Sequence, residues 1–231
     1  MNPPAPASTR LRSRTLGAVY LLYFLAAVPS LVLVQGLLVA NDAAGTANNI
    51  LAHESLYRAG LALDLVGNAL YIVVTALLYR LLAPAGRNMA LVAAFLALVG
   101  SAVQIFGNVF RMAVLLVLQD NAWLGSFNGL QLHAAALLGL KLHAQVFASS
   151  FVLFGVFDIL VGCLVVRSAV LPRALGVPMI LAGAGLLTFL WPPLGAVLSS
   201  GVLPLAFLAE FVLMLWLLVR GVDGSAGMRD A

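Results

Sequence analysis

Charge is scarce in this chain. Only 9% of its 231 residues are Asp, Glu, Lys or Arg, whereas a soluble domain carries about 25%, because its surface needs polar cover. That scarcity excludes an ordinary water-soluble fold. Cysteine is nearly absent: Cys163 stands alone, so no intrachain disulfide forms, and it reads as a small hydrophobe in an apolar run. The three histidines, His53, His133 and His143, match no zinc-ligand spacing. Basic residues are not interleaved with aromatics, which leaves nucleic-acid binding without support. There is no His-Glu-x-x-His, no pair of acids at motif spacing and no visible nucleophile constellation, so no catalytic residue, metal or cofactor is indicated.

What the chain has in abundance is apolar length. With 63% hydrophobic residues, one core cannot absorb them all, and lipid must solvate much of the surface. An apolar run of about 20 residues crosses the hydrocarbon layer as a helix. Such runs occupy 15–40, 56–82, 88–118 and 143–166. A further stretch, 174–219, is too long for one crossing. Its Trp191-Pro192-Pro193 break and its Ser199-Ser200-Gly201 turn, followed by Pro204, divide it in two. The first run, with Pro29 as an expected kink, far exceeds the roughly 7–15 residues of a signal-peptide core, so it reads as a retained span.

The expected fold is therefore all-α, a polytopic transmembrane bundle of six helices. Residues 15–221 form the membrane domain, between tails at 1–14 and 222–231. The positive-inside rule orients it. With the N-terminus cytoplasmic, Arg10, Arg12, Arg14, Arg80, Arg87, Arg167, Arg173, Arg220 and Arg229 fall inside, and only Arg58 and Lys141 fall outside. Both termini are expected in the cytoplasm of a multi-pass cell-membrane protein, with the lipid bilayer as the one partner the composition implies.

Two outer segments are longer than turns. Asp42–Ser55 carries a cap and helix-permissive residues, and is expected to form a short interfacial helix. Residues 128–142 either lie on the surface or extend the fourth helix backward. Tyr20, Tyr23, Trp123, Trp191 and Trp216 fit interface anchors or packing.

Several stretches resemble a known family. These are Asp42-Ala-Ala-Gly-Thr-Ala-Asn-Asn-Ile-Leu-Ala-His-Glu with Tyr57-Arg-Ala-Gly, then Leu153-Phe-Gly, then Arg167-Ser-Ala-Val-Leu-Pro-Arg-Ala-Leu-Gly176, and the final Glu210-Phe-Val-Leu-Met-Leu-Trp. They are similar to a bacterial and archaeal membrane family designated domain of unknown function 4386. The most specific part is Ser168 followed by Leu171-Pro-Arg-x-x-Leu-Gly, where Ala169-Val170 replaces an expected glycine and aromatic. The resemblance implies a membrane topology and brings no activity and no site residues.

Four residues do not belong in hydrocarbon: Asp64, Arg111, Asp158 and Glu210. A charge at a helix centre costs about 2.5–3.5 kcal/mol on insertion scales, so pairing, neutralisation or water must reduce the sum. Helix rise puts Asp64 and Arg111 each roughly 10 Å, and Glu210 about 13 Å, below the outer helix ends. Asp158 lies nearer the cytoplasm. Asp64 and Asn68 stack at i, i+4, and Gln104, Asn108 and Arg111 form one stripe at i, i+4, i+7. The expectation is a buried polar network of Asp64, Asn68, Gln104, Asn108, Arg111 and Glu210, in which Arg111 pairs with Asp64 or Glu210, with Asp158 a secondary candidate.

Three acids against one Arg imply that at least one acid is neutral. Such a layer suits binding or transport of a small solute or proton. The same contacts also serve as packing glue, at roughly 0.6 kcal/mol each, so a structural or regulatory membrane protein fits as well. The histidines, with Glu54, read as exposed at the outer interface.

Overall fold

The computed structural model describes residues 6–119 and 124–222, with side chains from Leu11 onward. Trp123, Arg229, the side chain of Arg10 and nearly all of the expected tail at 222–231 lie outside the described residues. The described residues form six α-helices and no strand: α1 (Pro6–Gln35), α2 (Ala43–Ala52), α3 (Glu54–Leu118), α4 (Gly129–Arg167), α5 (Arg173–Leu186) and α6 (Pro192–Val219). A 3-10 turn, Leu187–Leu190, follows α5.

The 65-residue α3 is two limbs, because Gly86 leaves helical geometry at φ 166°, ψ 87°. The limbs, 54–85 and 87–118, match the second and third apolar runs. Contacts between them pair residues symmetrically about the break, Tyr57 with Arg111 and Glu54 with Gln119. They therefore run antiparallel, as a helical hairpin. Among the described residues five helices, counting α3 once, are long and apolar enough to cross a membrane.

Burial along the second limb shows what the solvent is. Its exposed face carries Phe95, Leu98, Phe106, Val109, Met112 and Leu116, at the three-and-four spacing of one helix face. Its buried face carries Ser101, Asn108 and Arg111. This inverts the amphipathicity of a helix in water, and it suits a lipid surround, where only interior partners satisfy polar groups.

The short outer helix forms as expected. Asp42 caps α2, its Oδ1 accepting from the Gly45 N–H at 2.8 Å. Thr46 Oγ1 takes the N–H of Val39 at 2.9 Å, so α2 satisfies the backbone that leads into it. The preceding Asn41 has φ 58°, a left-handed conformation that Asn tolerates better than most residues.

Two expectations change. Residues 129–142 extend α4 backward by some four turns, which resolves the alternative left open above. The Ser199-Ser200-Gly201 segment is no turn: α6 starts with Pro192, whose missing N–H costs nothing in the first turn, and runs unbroken past Gly201 and Pro204 to Val219. The Ser199 hydroxyl donates to the Ala196 carbonyl at 2.8 Å. Turn signals tuned to water lose force where an open backbone has no solvent to bond.

By backbone contacts the chain divides into two compact units. One comprises the residues up to Leu22, Leu70–Ser101 and those from Ser149 on; the other comprises Tyr23–Ala69 and Ala102–Ala148. In the first, α4 and α5 cross through facing glycines: a Cβ on Gly162 would stand 2.6 Å from the Gly176 carbonyl oxygen, and one on Gly155 2.9 Å from that of Gly183. Both pairs repeat at seven residues, so the backbones touch over two turns, as small residues permit. Gly176 closes the Ser168–Gly176 pattern. That loop is fixed by Ser168 Oγ, which accepts the Leu171 N–H at 3.2 Å. The second unit packs an apolar cluster instead, including Val34, Ile50, Tyr57, Leu61, Val114 and Leu140.

Candidate functional site

Tyr57, Leu61, Asp64 and Asn68 recur at 0, 4, 7 and 11 along the first limb of α3, one helix face. The antiparallel second limb brings Asn108 and Arg111 opposite them. Asn68 Nδ2 donates to the Asp64 carbonyl at 3.0 Å and reaches its carboxylate at 3.5 Å. Asn108 Nδ2 donates to Asp64 Oδ2 from the other limb. Tyr57, fully buried, donates its hydroxyl to the Arg111 carbonyl at 3.0 Å.

Arg111 itself is 6% exposed. Asp64 lies within its electrostatic reach, yet the expected ion pair is not made: among the described residues Arg111 has no salt-bridge partner, and its Nε has no hydrogen-bond partner. The Oδ1 of Asn108 is likewise buried without a partner among the described residues. Gln104 is half-buried one turn before Asn108.

His143 from α4 joins this cluster. Contrary to its expected exposure it is buried, with Nδ1 3.1 Å from the Gly107 carbonyl. A carbonyl only accepts, so Nδ1 carries the proton there. Arg111 and Asp64 are the charged groups that act on it. Close packing on Gly107, where a Cβ would stand 3.4 Å from His143 Nδ1, lets the ring approach.

Glu210 keeps other company. Its Oε1 accepts from the Tyr71 hydroxyl at 2.8 Å, and Tyr20 faces the same carboxyl. Asp158, 1% exposed, lies within electrostatic reach of Glu210. The polar layer expected around Arg111 thus takes in Asp64, Asn68 and Asn108, while Glu210 sits with Asp158, the residue expected to stand apart. Tyr57, Tyr71 and His143 are the members that sequence reasoning did not place. The spacing of Tyr57 to Asp64 and Asn68 was the available signal for the first.

Among the described residues, no three His, Cys, Asp or Glu side chains gather as a metal site. His53 and His133 take no part in either cluster: His53 Nδ1 lies 3.1 Å from the Asn49 carbonyl, and Glu54 pairs with Arg58 at 2.7 Å.

Long helices with apolar exteriors and polar residues turned inward fit an integral membrane protein. The family model described as Domain of unknown function (DUF4386) matches residues 15–221, and the chain belongs to that family. No curated protein and no solved structure matches it.

Proposed function

We propose that this is a multi-pass protein of the cell membrane, with both termini cytoplasmic, that binds a small polar solute at Asp64, Asn108 and Arg111 and moves it, or a proton, through that polar layer. One observation carries the reading. A guanidinium 6% exposed to solvent has an unpartnered Nε among the described residues, and Asn108, one turn before it on the same limb, has an amide oxygen in the same condition. Buried polar atoms are nearly always bonded, and leaving one unmet costs about 1–3 kcal/mol. A donor from a cation and an acceptor from an amide together suit a solute with a carboxylate or similar acceptor and a nearby N–H or O–H.

The test is thermal melting of the protein in nanodiscs against a panel of small carboxylates, amino acids and polyols, with flux into proteoliposomes under a pH gradient as a second readout. At least one solute is expected to raise the melting temperature of the wild type and not of Arg111→Ala. Equal melting and equal flux for both proteins across the panel would remove Arg111 from any mechanism.

A second reading, a network that only holds helices together, is favoured by the bonds from Tyr57 to Arg111 and from Asn108 to Asp64. It expects no solute to shift melting, and expects Arg111→Met to lose stability alone.

A further inference from the structure

We propose that the carboxyls of Asp158 and Glu210 form a binding site for one monovalent cation, a proton or a sodium ion, separate in its chemistry from the Arg111 cluster. Three elements build it. On α4, Phe154 and Asp158 are four residues apart and share a helix face. The Tyr71 ring, from the first limb of α3, stands 5.5 Å from the Phe154 ring and 6.1 Å from that of Phe157, edge-on to both. The same Tyr71 gives its hydroxyl to Glu210 of α6 at 2.8 Å. Tyr71 therefore joins the Asp158 face of α4 to Glu210. Tyr20 of α1, its ring 6.2 Å from that of Tyr71, closes the group.

Among the described residues the groups facing Glu210 are thus Tyr71, Tyr20 and Asp158, and the one charged group acting on Asp158 is Glu210. Among the described residues no cation acts on Asp158. Two carboxylates within electrostatic reach of each other in a medium of low dielectric repel, and neither tolerates full desolvation as a bare anion. One positive charge between them removes the difficulty.

Two further observations point to a ligand. Asp158 Oδ1 is buried and has no hydrogen-bond partner among the described residues. Thr75, one turn beyond Tyr71 on the same limb and 5% exposed, also has an unpartnered hydroxyl. It lines a largely apolar cavity of about 10 Å³ with Phe157 and Val161 of α4, a cavity that Asp158 and Glu210 do not themselves line. That is room for about one water or small ion. The donor set is all oxygen, as hard cations require, but two carboxyls and a few hydroxyls fall short of the 6–8 oxygens typical for Ca²⁺. A single charge fits better.

The experiment labels the full chain in detergent with dicyclohexylcarbodiimide, which attacks protonated carboxyls in apolar surroundings, and maps the adduct by peptide mass. Labelling is run from acid to alkaline pH, in sodium chloride and in choline chloride of equal strength. The expected result is an adduct on Asp158 or Glu210 that falls at least severalfold toward alkaline pH. Sodium that suppresses labelling at fixed pH identifies a sodium site; equal labelling in both salts identifies a proton site. Because the two carboxyls form one site, Glu210→Gln shifts the pH profile of Asp158 labelling by more than about one pH unit.

Tyr71→Phe, which keeps the ring, serves as a second variant should Glu210→Gln fail to fold, and is expected to move the same profile. No adduct on either residue at any pH would overturn the proposal. So would labelling that ignores pH, sodium and both substitutions, the behaviour of a permanently neutral packing residue. Neither result touches the solute reading at Arg111.

Discussion

Around Arg111 a buried cation has a carboxylate within electrostatic reach, and its backbone carbonyl is latched by Tyr57. Around Asp158 two carboxyls and two phenols gather, and among the described residues no cation acts on Asp158. The units differ in packing as well. One brings α4 and α5 into backbone contact through glycines, while the other joins the limbs of α3 through side-chain hydrogen bonds. Charge in a membrane protein is tolerable when its counter-charge is built in, and it points outward to a ligand when the counter-charge is missing. For that reason the Asp158 group is the one proposed to hold an exchangeable cation.

The comparison can be broken by substitution, and the largest effect is expected in the glycine crossing. Gly162→Leu drives a side chain into the Gly176 carbonyl, and should cost about 3 kcal/mol or more, since overpacking against backbone cannot relax by a rotamer change. Gly201→Leu, at a site with nothing within 4 Å, is the control and should fold normally. Equal melting of the two variants would mean that the crossing is not tight.

Next come two acid-to-leucine changes with opposite signs. Asp64→Leu leaves Arg111 uncompensated and strands the Asn108 amide, so it should lower stability by about 3 kcal/mol. Asp158→Leu removes a buried carboxyl that has no cation, and should be neutral or stabilising by about 1 kcal/mol. Denaturation in mixed micelles measures both. Matching losses would show that Asp158 has an internal counter-charge after all.

The smallest effects separate the two tyrosines. Tyr57→Phe removes a bond to a backbone carbonyl and Tyr71→Phe a bond to a carboxyl, each worth about 1 kcal/mol. Only Tyr71→Phe should also change how melting depends on pH, because only its partner titrates. A pH-dependent loss in Tyr57→Phe would instead couple that hydroxyl to His143 or Asp64.

The polar residues were legible singly and only partly as groups. Asp64 with Asn68, and Asn108 with Arg111, could be read from spacing, because residues at i, i+3, i+4 and i+7 must share a face. Asn108 meeting Asp64 follows once the limbs of α3 are known to fold back at Gly86. The grouping of Glu210 with Arg111 rested on depth, which helix rise supplies. Depth says nothing of which helix lies beside which, nor of the direction a face points, and in the structure Glu210 turns to Tyr71 and Asp158. His143 escaped notice because it opens the 143–166 run, and a histidine at the outer start of a span reads as exposed at the interface.

The amino-acid sequence by itself determined that the chain is helical and apolar outside, roughly which runs cross the membrane, and that a few polar residues within those runs, Asn108, Arg111 and Asp158 among them, face inward. Those properties follow from local spacing and from the absence of water around a helix in lipid. Tertiary structure alone decided which inward-facing groups meet. It continued α6 through Ser199-Ser200-Gly201, seated α5 on α4 through glycines, gave Arg111 an acid within reach, and left Asp158 and Glu210 to each other. Partners are set by helix adjacency and azimuth, and these depend on packing across the whole chain.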